Sequence, residues 1–263
     1  MSHATETTTV PSTSLDDLDL DAFDRYLRRH APRLAAEDVP HEEALLRLRL
    51  AGAMGSRIVP TVAGLYIFGH EPQFALPNLG LVAARFEGDE ITDEVRARSD
   101  CHGSLVVLVE ATLDFVRKHS RELVNQLHPA SSTHEFPITA VNEALVNALV
   151  HRDLRSPGRV AVRIFDDRLE VWSPGAPNGL PDAIDTYVVR GGVSLPRNPL
   201  TAVLARQLGL AEQLGRGLPT MRRAIARETK GELLVRGTKD GVIVAIPSAI
   251  QAAARLTTFL DAN

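Results

Sequence analysis

The feature that most constrains this chain is an eleven-residue word, Glu143-Ala-Leu-Val-Asn147-Ala-Leu-Val-His151-Arg152-Asp153. At 100° per residue, Glu143, Asn147 and His151 fall on one stripe of a helix, while Val141, Ala144, Leu145, Ala148 and Leu149 share the opposite, core-facing side. The word therefore reads as a buried helix over 139–150 that carries a polar stripe. A carboxylate one turn from a carboxamide is a pair suited to a metal–triphosphate site. Asn donates an oxygen to Mg²⁺ without adding charge, and Glu can orient and deprotonate an attacking water. The same spacing also suits a plain solvated helix face.

Beyond this helix the chain is built for strands and ligand-facing turns. Residues 159–165 and 168–172 read as two strands joined at Asp166-Asp167, and 232–236 and 241–246 as two more joined at Lys239-Asp240-Gly241. Val171-Trp172-Ser173-Pro174-Gly175 ends a strand in a turn, with Gly179 shortly after. Gly215-Arg216-Gly217-Leu218-Pro219 opens a helix over 218–228, and free amides at a helix start preceded by glycines can cup a phosphate. Between them, Arg190, Gly191, Gly192, Arg197 and Asn198 lie in a loop-rich span that suits a mobile lid, before a helix near 199–208. Any one of these words occurs by chance; their order along the chain is the stronger signal.

The run from Phe136 to about Ile246 resembles a GHKL (Bergerat-fold) ATPase domain. It is similar to the version at the C-terminus of bacterial proteins labelled RecG-related "ATP-dependent DNA helicase" or transcriptional regulator. The words that carry the resemblance are EALVNALVHRD (143–153), RVAVRIFDDRLEVWSPG (159–175), PRNPLTAVLARQLGLAE (196–212) and LGRGLPTMRRA (214–224). Residues 61–87 resemble the segment that precedes the domain in those proteins. The resemblance implies ATP and Mg²⁺ as cofactors, with Glu143 as the general base and Asn147 as the Mg²⁺ ligand. It also implies Gly175 and Gly179 in the adenine-side turn and Gly215 and Gly217 around the phosphates. Arg197, Arg216 and Leu218 complete the expected nucleotide contacts. His151, Arg152 and Asp153 match an HRD word to which no role is assigned. Where such enzymes generally place an Asp that accepts the adenine amino proton, this chain has Ser173. No GxxxxGK[ST] phosphate loop is present, so the helicase label finds no support.

The first half reads as a smaller, mainly helical α/β domain. Residues 1–13 are Thr/Ser-rich without apolar period and are expected to be a disordered tail. Helices are expected near 15–30, over His41–Leu50 and over Val62–Phe68. A strand comes next at Leu79–Phe86, then an amphipathic helix at Ser104–Lys118. The expected organisation is a 14–127 domain, a 128–135 linker, a 136–248 ATPase-like domain and a C-terminal helix at 249–263. The fold class is α+β, with a two-layer α/β sandwich of mixed sheet and helices on one face.

Composition removes several function classes. With 263 residues, 44% apolar and 24% charged, the chain is globular. Cys101 is the only cysteine and cannot pair within the chain. No apolar run reaches the ~20 residues that span a bilayer, and no secretory signal is visible, so a cytoplasmic protein without membrane contact is expected. Acidic residues crowd the first 24 positions, leaving a weakly positive body in which Lys118, Lys230 and Lys239 are the only lysines. That is too little charge for a strong nucleic-acid footprint. Residues 41–70 can still be read as helix–turn–helix pieces with Arg47, Arg49 and Arg57. Metal-ligand spacings of the CxxC or HExxH kind are absent, and Cys101 beside His102 reads as a bystander thiol. The expected partners are a nucleotide and a protein or a second copy of the chain, with nucleic acid open but weakly supported. Two functions remain open: a slow ATPase used as a switch, with a lid over 187–216, or a non-catalytic regulator that keeps the fold without nucleotide.

Overall fold

The structure is a computed structural model, and it describes residues 5–92, 94–123, 133–176, 196–211, 217–229 and 231–250. Gly179, Gly215 and Arg216, residues 187–195 and 212–216 of the expected lid, and most of the C-terminal helix lie outside those residues.

Eight helices appear among the described residues: α1 (Leu20–His30), α2 (Pro32–Ala36), α3 (His41–Arg47), α4 (Val62–Phe68), α5 (Leu105–His119), α6 (Ile138–His151), α7 (Pro199–Gln207) and α8 (Gly217–Glu228). The strands are β1 (Ala51–Met54), β2 (Arg57–Pro60), β3 (Leu81–Phe86), β4 (Val95–Cys101), β5 (Glu122–Leu123), β6 (Thr133–His134), β7 (Val160–Ile164), β8 (Arg168–Pro174), β9 (Leu234–Gly237) and β10 (Gly241–Pro247). The α+β class holds: a six-stranded sheet runs in the order β4-β3-β7-β8-β10-β9, with helices packed on it. All its pairings are antiparallel except β3 with β7.

Period-two alternation builds the sheet's two faces. Val160, Val162 and Ile164 of β7 and Leu169 and Val171 of β8 are buried toward α6. On the other face Arg163 and Arg168 flank Glu170, with Arg168 Nε 2.7 Å from its Oε1. Helix α6 is buried on almost every side, with Val141, Ala144, Leu145 and Leu149 fully enclosed.

The two expected domains share this sheet and one core. Strands β3 and β4 come from the first half, yet β3 pairs with β7 from Leu81↔Val160 to Arg85↔Ile164. Packing between α5 and α6 continues the core across the expected boundary. A sequence break at 128–135 is thus bridged by a strand pairing that no local pattern announces.

The expected disordered tail is, from residue 5 onward, part of the fold. Thr5–Thr7 make a 3₁₀ turn, Val10 joins the core, and Glu6 is only 1% exposed. The Glu6 carboxylate accepts the backbone N–H groups of Leu200 and Thr201, each at 2.9 Å, and the Thr201 hydroxyl at 2.9 Å. It thereby caps α7 from the far end of the chain.

The expected helix His41–Leu50 stops at Arg47, and residues 51–60 form a β-hairpin instead, with Gly52 inside β1 rather than closing the helix. That hairpin separates α3 from α4, and all seven residues of α4 are buried. A helix with no exposed face cannot lie in a nucleic-acid groove, so the helix–turn–helix reading of 41–70 is overturned.

Candidate functional site

Helix α6 holds Glu143 and Asn147 on the stripe the spacing requires. Asn147 Nδ2 donates to Glu143 Oε1 at 3.1 Å; the carboxylate is buried and the carboxamide half-buried. With its N–H₂ turned to Glu143, the Asn147 carbonyl oxygen makes no bond among the described residues.

The start of α8 arrives on the same acid. A methyl group at Gly217 would stand 1.9 Å from Glu143 Oε1 and 2.7 Å from its Cδ, so a side chain there fits only if the Glu143 carboxylate moves. Sequence places these residues more than seventy positions apart, and the fold puts them in contact. Leu218 lies in the first turn of α8.

Ser173 sits on β8 directly behind α6, where its hydroxyl donates to the Ala148 carbonyl at 2.9 Å. This bond belongs to a wider arrangement at the end of α6. The last four carbonyls of a helix have no partner within it. Here Ser173 takes Ala148, the Tyr66 hydroxyl takes Leu149 at 3.2 Å, and Asn198 Nδ2 takes Val150 at 2.8 Å and Arg152 at 2.9 Å. Three side chains from three elements thus close the helix. A carboxylate at position 173 has no proton to offer the Ala148 carbonyl, which is a physical reason for serine there.

Beyond Ser173 the chain turns at Gly175, whose φ of +107° suits glycine. A side chain there would meet Asp153 Cβ at 2.7 Å and Arg197 Nη1 at 2.9 Å. Arg197 Nη1 donates to Asp153 Oδ2 at 2.9 Å, and its other nitrogen reaches the Ala176 carbonyl. Arg197 therefore clamps the glycine turn to the end of α6. Arg155, by hydrogen bonding, and Arg197, by charge, hold the Asp153 carboxyl down at about 2. His151, on the same stripe as Glu143, is pushed below its usual range by burial and by the charge of Arg197.

Arg152 lies on the core side and is fully buried. One nitrogen donates to the Gly158 carbonyl at 2.8 Å; Nε and Nη1 are buried without a hydrogen-bond partner among the described residues. The Tyr66 hydroxyl stands beside the guanidinium, whose pKa is lowered by burial. Burial likewise pushes the Tyr66 hydroxyl up to about 12.

The fold therefore brings Glu143, Asn147 and Gly217 together, and separately gathers Ser173, Gly175 and Arg197 around the end of α6. Among the described residues no three His, Cys, Asp or Glu side chains gather in a metal-holding group, and no helix is long and apolar enough to cross a membrane. Sequence reasoning missed Tyr66 and the capping role of Asn198. An asparagine directly before a Pro-started helix is a signal for some cap, but not for capping a different helix.

Residues 158–246 match the family described as "Putative ATP-dependent DNA helicase recG C-terminal", an ATPase-like domain. The matched stretch begins after α6, so it covers Ser173, Gly175, Arg197 and Gly217 but neither Glu143 nor Asn147. No curated protein matches the chain. Among solved structures, the fold is similar to that of the DIP2311 protein from Corynebacterium diphtheriae, with a TM-score of 0.62 and 20% identity. That similarity covers 93% of this chain and 46% of the other, so this chain spans about half the length of its structural neighbour.

Proposed function

We propose that the protein is a cytoplasmic ATP- and Mg²⁺-binding protein of the GHKL kind, a slow ATPase that works as a conformational switch toward a protein partner or a second copy of itself. The observation that carries this reading is the meeting of Glu143, Asn147 and Gly217 at the start of α8. The ATPase-like family match over 158–246 supports it from the sequence side.

The residues suit the cofactor chemically. Asn147 offers a carbonyl oxygen, a hard donor of the type Mg²⁺ takes, and such sites commonly use one or two protein ligands plus substrate phosphates. Bound Mg²⁺ would supply charge neutralisation for those phosphates. Glu143 would orient the attacking water and take its proton. The backbone around Gly215, Arg216, Gly217 and Leu218 would face the phosphates. The Ser173 hydroxyl, which donates to Ala148, would accept from an adenine amino group with its oxygen, and Arg197 would hold the turn at Gly175 in place. Because Glu143 rests on Gly217, phosphate binding would shift the start of α8 against the acid, and that displacement is the switch.

The test is calorimetric titration with Mg-ATP beside a turnover assay. Wild type should bind only when Mg²⁺ is present, and Glu143→Ala should keep binding while losing turnover. Protein that neither binds nor hydrolyses would sink the proposal. A non-catalytic regulatory role is the second reading. It is favoured by the closed Glu143–Gly217 contact and by Ser173 already serving Ala148. A melting temperature that stays flat across millimolar ATP, ADP and GTP would select it, whereas stabilisation of several degrees would exclude it.

A further inference from the structure

A cavity of about 510 Å³ opens on the opposite end of α7 from Arg197, between α1, the end of α4 and the first turn of α5. Its size is that of sites for small organic molecules. The stripe Ala22, Arg25, Tyr26 and Arg29 forms one wall, at the i, i+3, i+4, i+7 spacing of a single helix face. Ile67, Phe68, Val106 and Leu208 supply apolar surface, and Val107 is left 45% exposed at the edge.

Two positive charges line this wall. Some surface arginines, Arg47, Arg96, Arg117 and Arg155 among them, each hold a carboxylate. Arg25 and Arg29 make no ion pair among the described residues. The carboxylate of Asp19, which also lines the cavity, is engaged as the cap of α1, accepting from the Ala22 amide at 2.8 Å. Ser104 starts α5 without a capping bond from its side chain, so the positive end of that helix faces the same space. Tyr26 is fixed within the wall by donating to Gln207 Oε1 at 2.8 Å. The result is an apolar hollow with two guanidinium groups on one wall that have no ion-pair partner among the described residues, and one carboxylate, Asp19, engaged at the start of α1.

We propose that this cavity is a binding site for a small amphiphilic organic anion, one acidic group on an aromatic or alkyl body. The acidic group lies between Arg25 and Arg29 near the start of α5, and the body fills the hollow against Phe68 and Val106. The proposal does not depend on the nucleotide reading.

Anilinonaphthalene sulfonate, an aryl body with one sulfonate, is a suitable probe for fluorescence titration of the full chain. Saturation at one equivalent is expected. The Arg25→Glu/Arg29→Glu double variant should weaken binding by at least about tenfold. So should Val107→Asp, which places a repelling charge at the edge yet suits the third position of a helix, so α5 should fold as before. Both variants should melt as the parent does, which separates lost binding from lost fold. Inorganic phosphate should displace the probe no better than chloride of equal ionic strength. Absence of one-to-one saturation, parent-like binding by both variants, or displacement by phosphate alone would each overturn the proposal.

Discussion

Glu6 and Thr201 stand 195 positions apart and are joined by two hydrogen bonds of 2.9 Å, one from the Thr201 amide and one from its hydroxyl. The acid end of the chain thereby acts as the cap of the helix that comes after Arg197 and Asn198. A buried carboxylate at a helix start answers both the unpaired amides and the positive end of the dipole.

Glu6→Ala leaves those amides buried without an acceptor. A loss of about 1–3 kcal/mol is expected, read as a lower urea midpoint with unchanged slope. A midpoint equal to the parent's would show that water replaces the carboxylate without cost.

Gly217→Ala drives a methyl group into Glu143. It should destabilise the protein by about 1–3 kcal/mol and reduce nucleotide affinity, since the start of α8 must move aside. Adding Glu143→Ala removes the clashing atoms, so the double variant should regain much of the lost stability. Additive losses in this cycle would separate the two residues.

Ser173→Asp, which installs the residue usual in GHKL enzymes, brings a carboxylate against the Ala148 carbonyl in place of a donor. Stability at neutral pH should fall by about 1–3 kcal/mol, measured by thermal melting. Ser173→Asn, which retains a donor, should lose less. Equal melting of all three proteins would refute the capping role given to Ser173.

The acid limb of stability should report Asp153. Its carboxyl is held at about 2 in the folded chain, first by hydrogen bonding to Arg155, against about 4 when unfolded. A depressed folded value stabilises above the unfolded one and fades as pH falls toward the folded one. Melting temperature should therefore drop between about pH 4 and pH 2, and Asp153→Asn should flatten that part of the curve. An unchanged slope in the variant would assign the acid sensitivity elsewhere.

The elements legible in the sequence are those whose period is both strong and local. Helix α6, strands β7 and β8, and β10 arise from alternation or from the 3.6-residue stripe, and so does the pairing of Glu143 with Asn147. The meeting with Gly217 is expected from the family resemblance and not from spacing, since nothing local joins α6 to α8. Strand β4 escapes sequence reading because its exposed Arg96, Arg98 and Asp100 mask the alternation with Ala97, Ser99 and Cys101. The hairpin at 51–60 escapes it because Ala51-Gly52-Ala53-Met54 has little β propensity, so pairing with Arg57–Pro60 decides its state. The roles of Glu6, Tyr66 and Asn198 are hidden for a simpler reason: each serves a carbonyl or amide from 46 to 195 positions away.

The parallel pairing of Leu81–Arg85 with Val160–Ile164 has a consequence for anyone who would express the ATPase-like portion by itself. Cutting the gene ahead of α6 strips β7 of its neighbour and bares a row of amide and carbonyl groups flanked by valines and isoleucine. Such a raw selvage invites another copy to stitch onto it. The excised piece should come out of the cell as clumps, and trimming its ends differently will not cure that, because what it lacks is the missing cloth beside the seam.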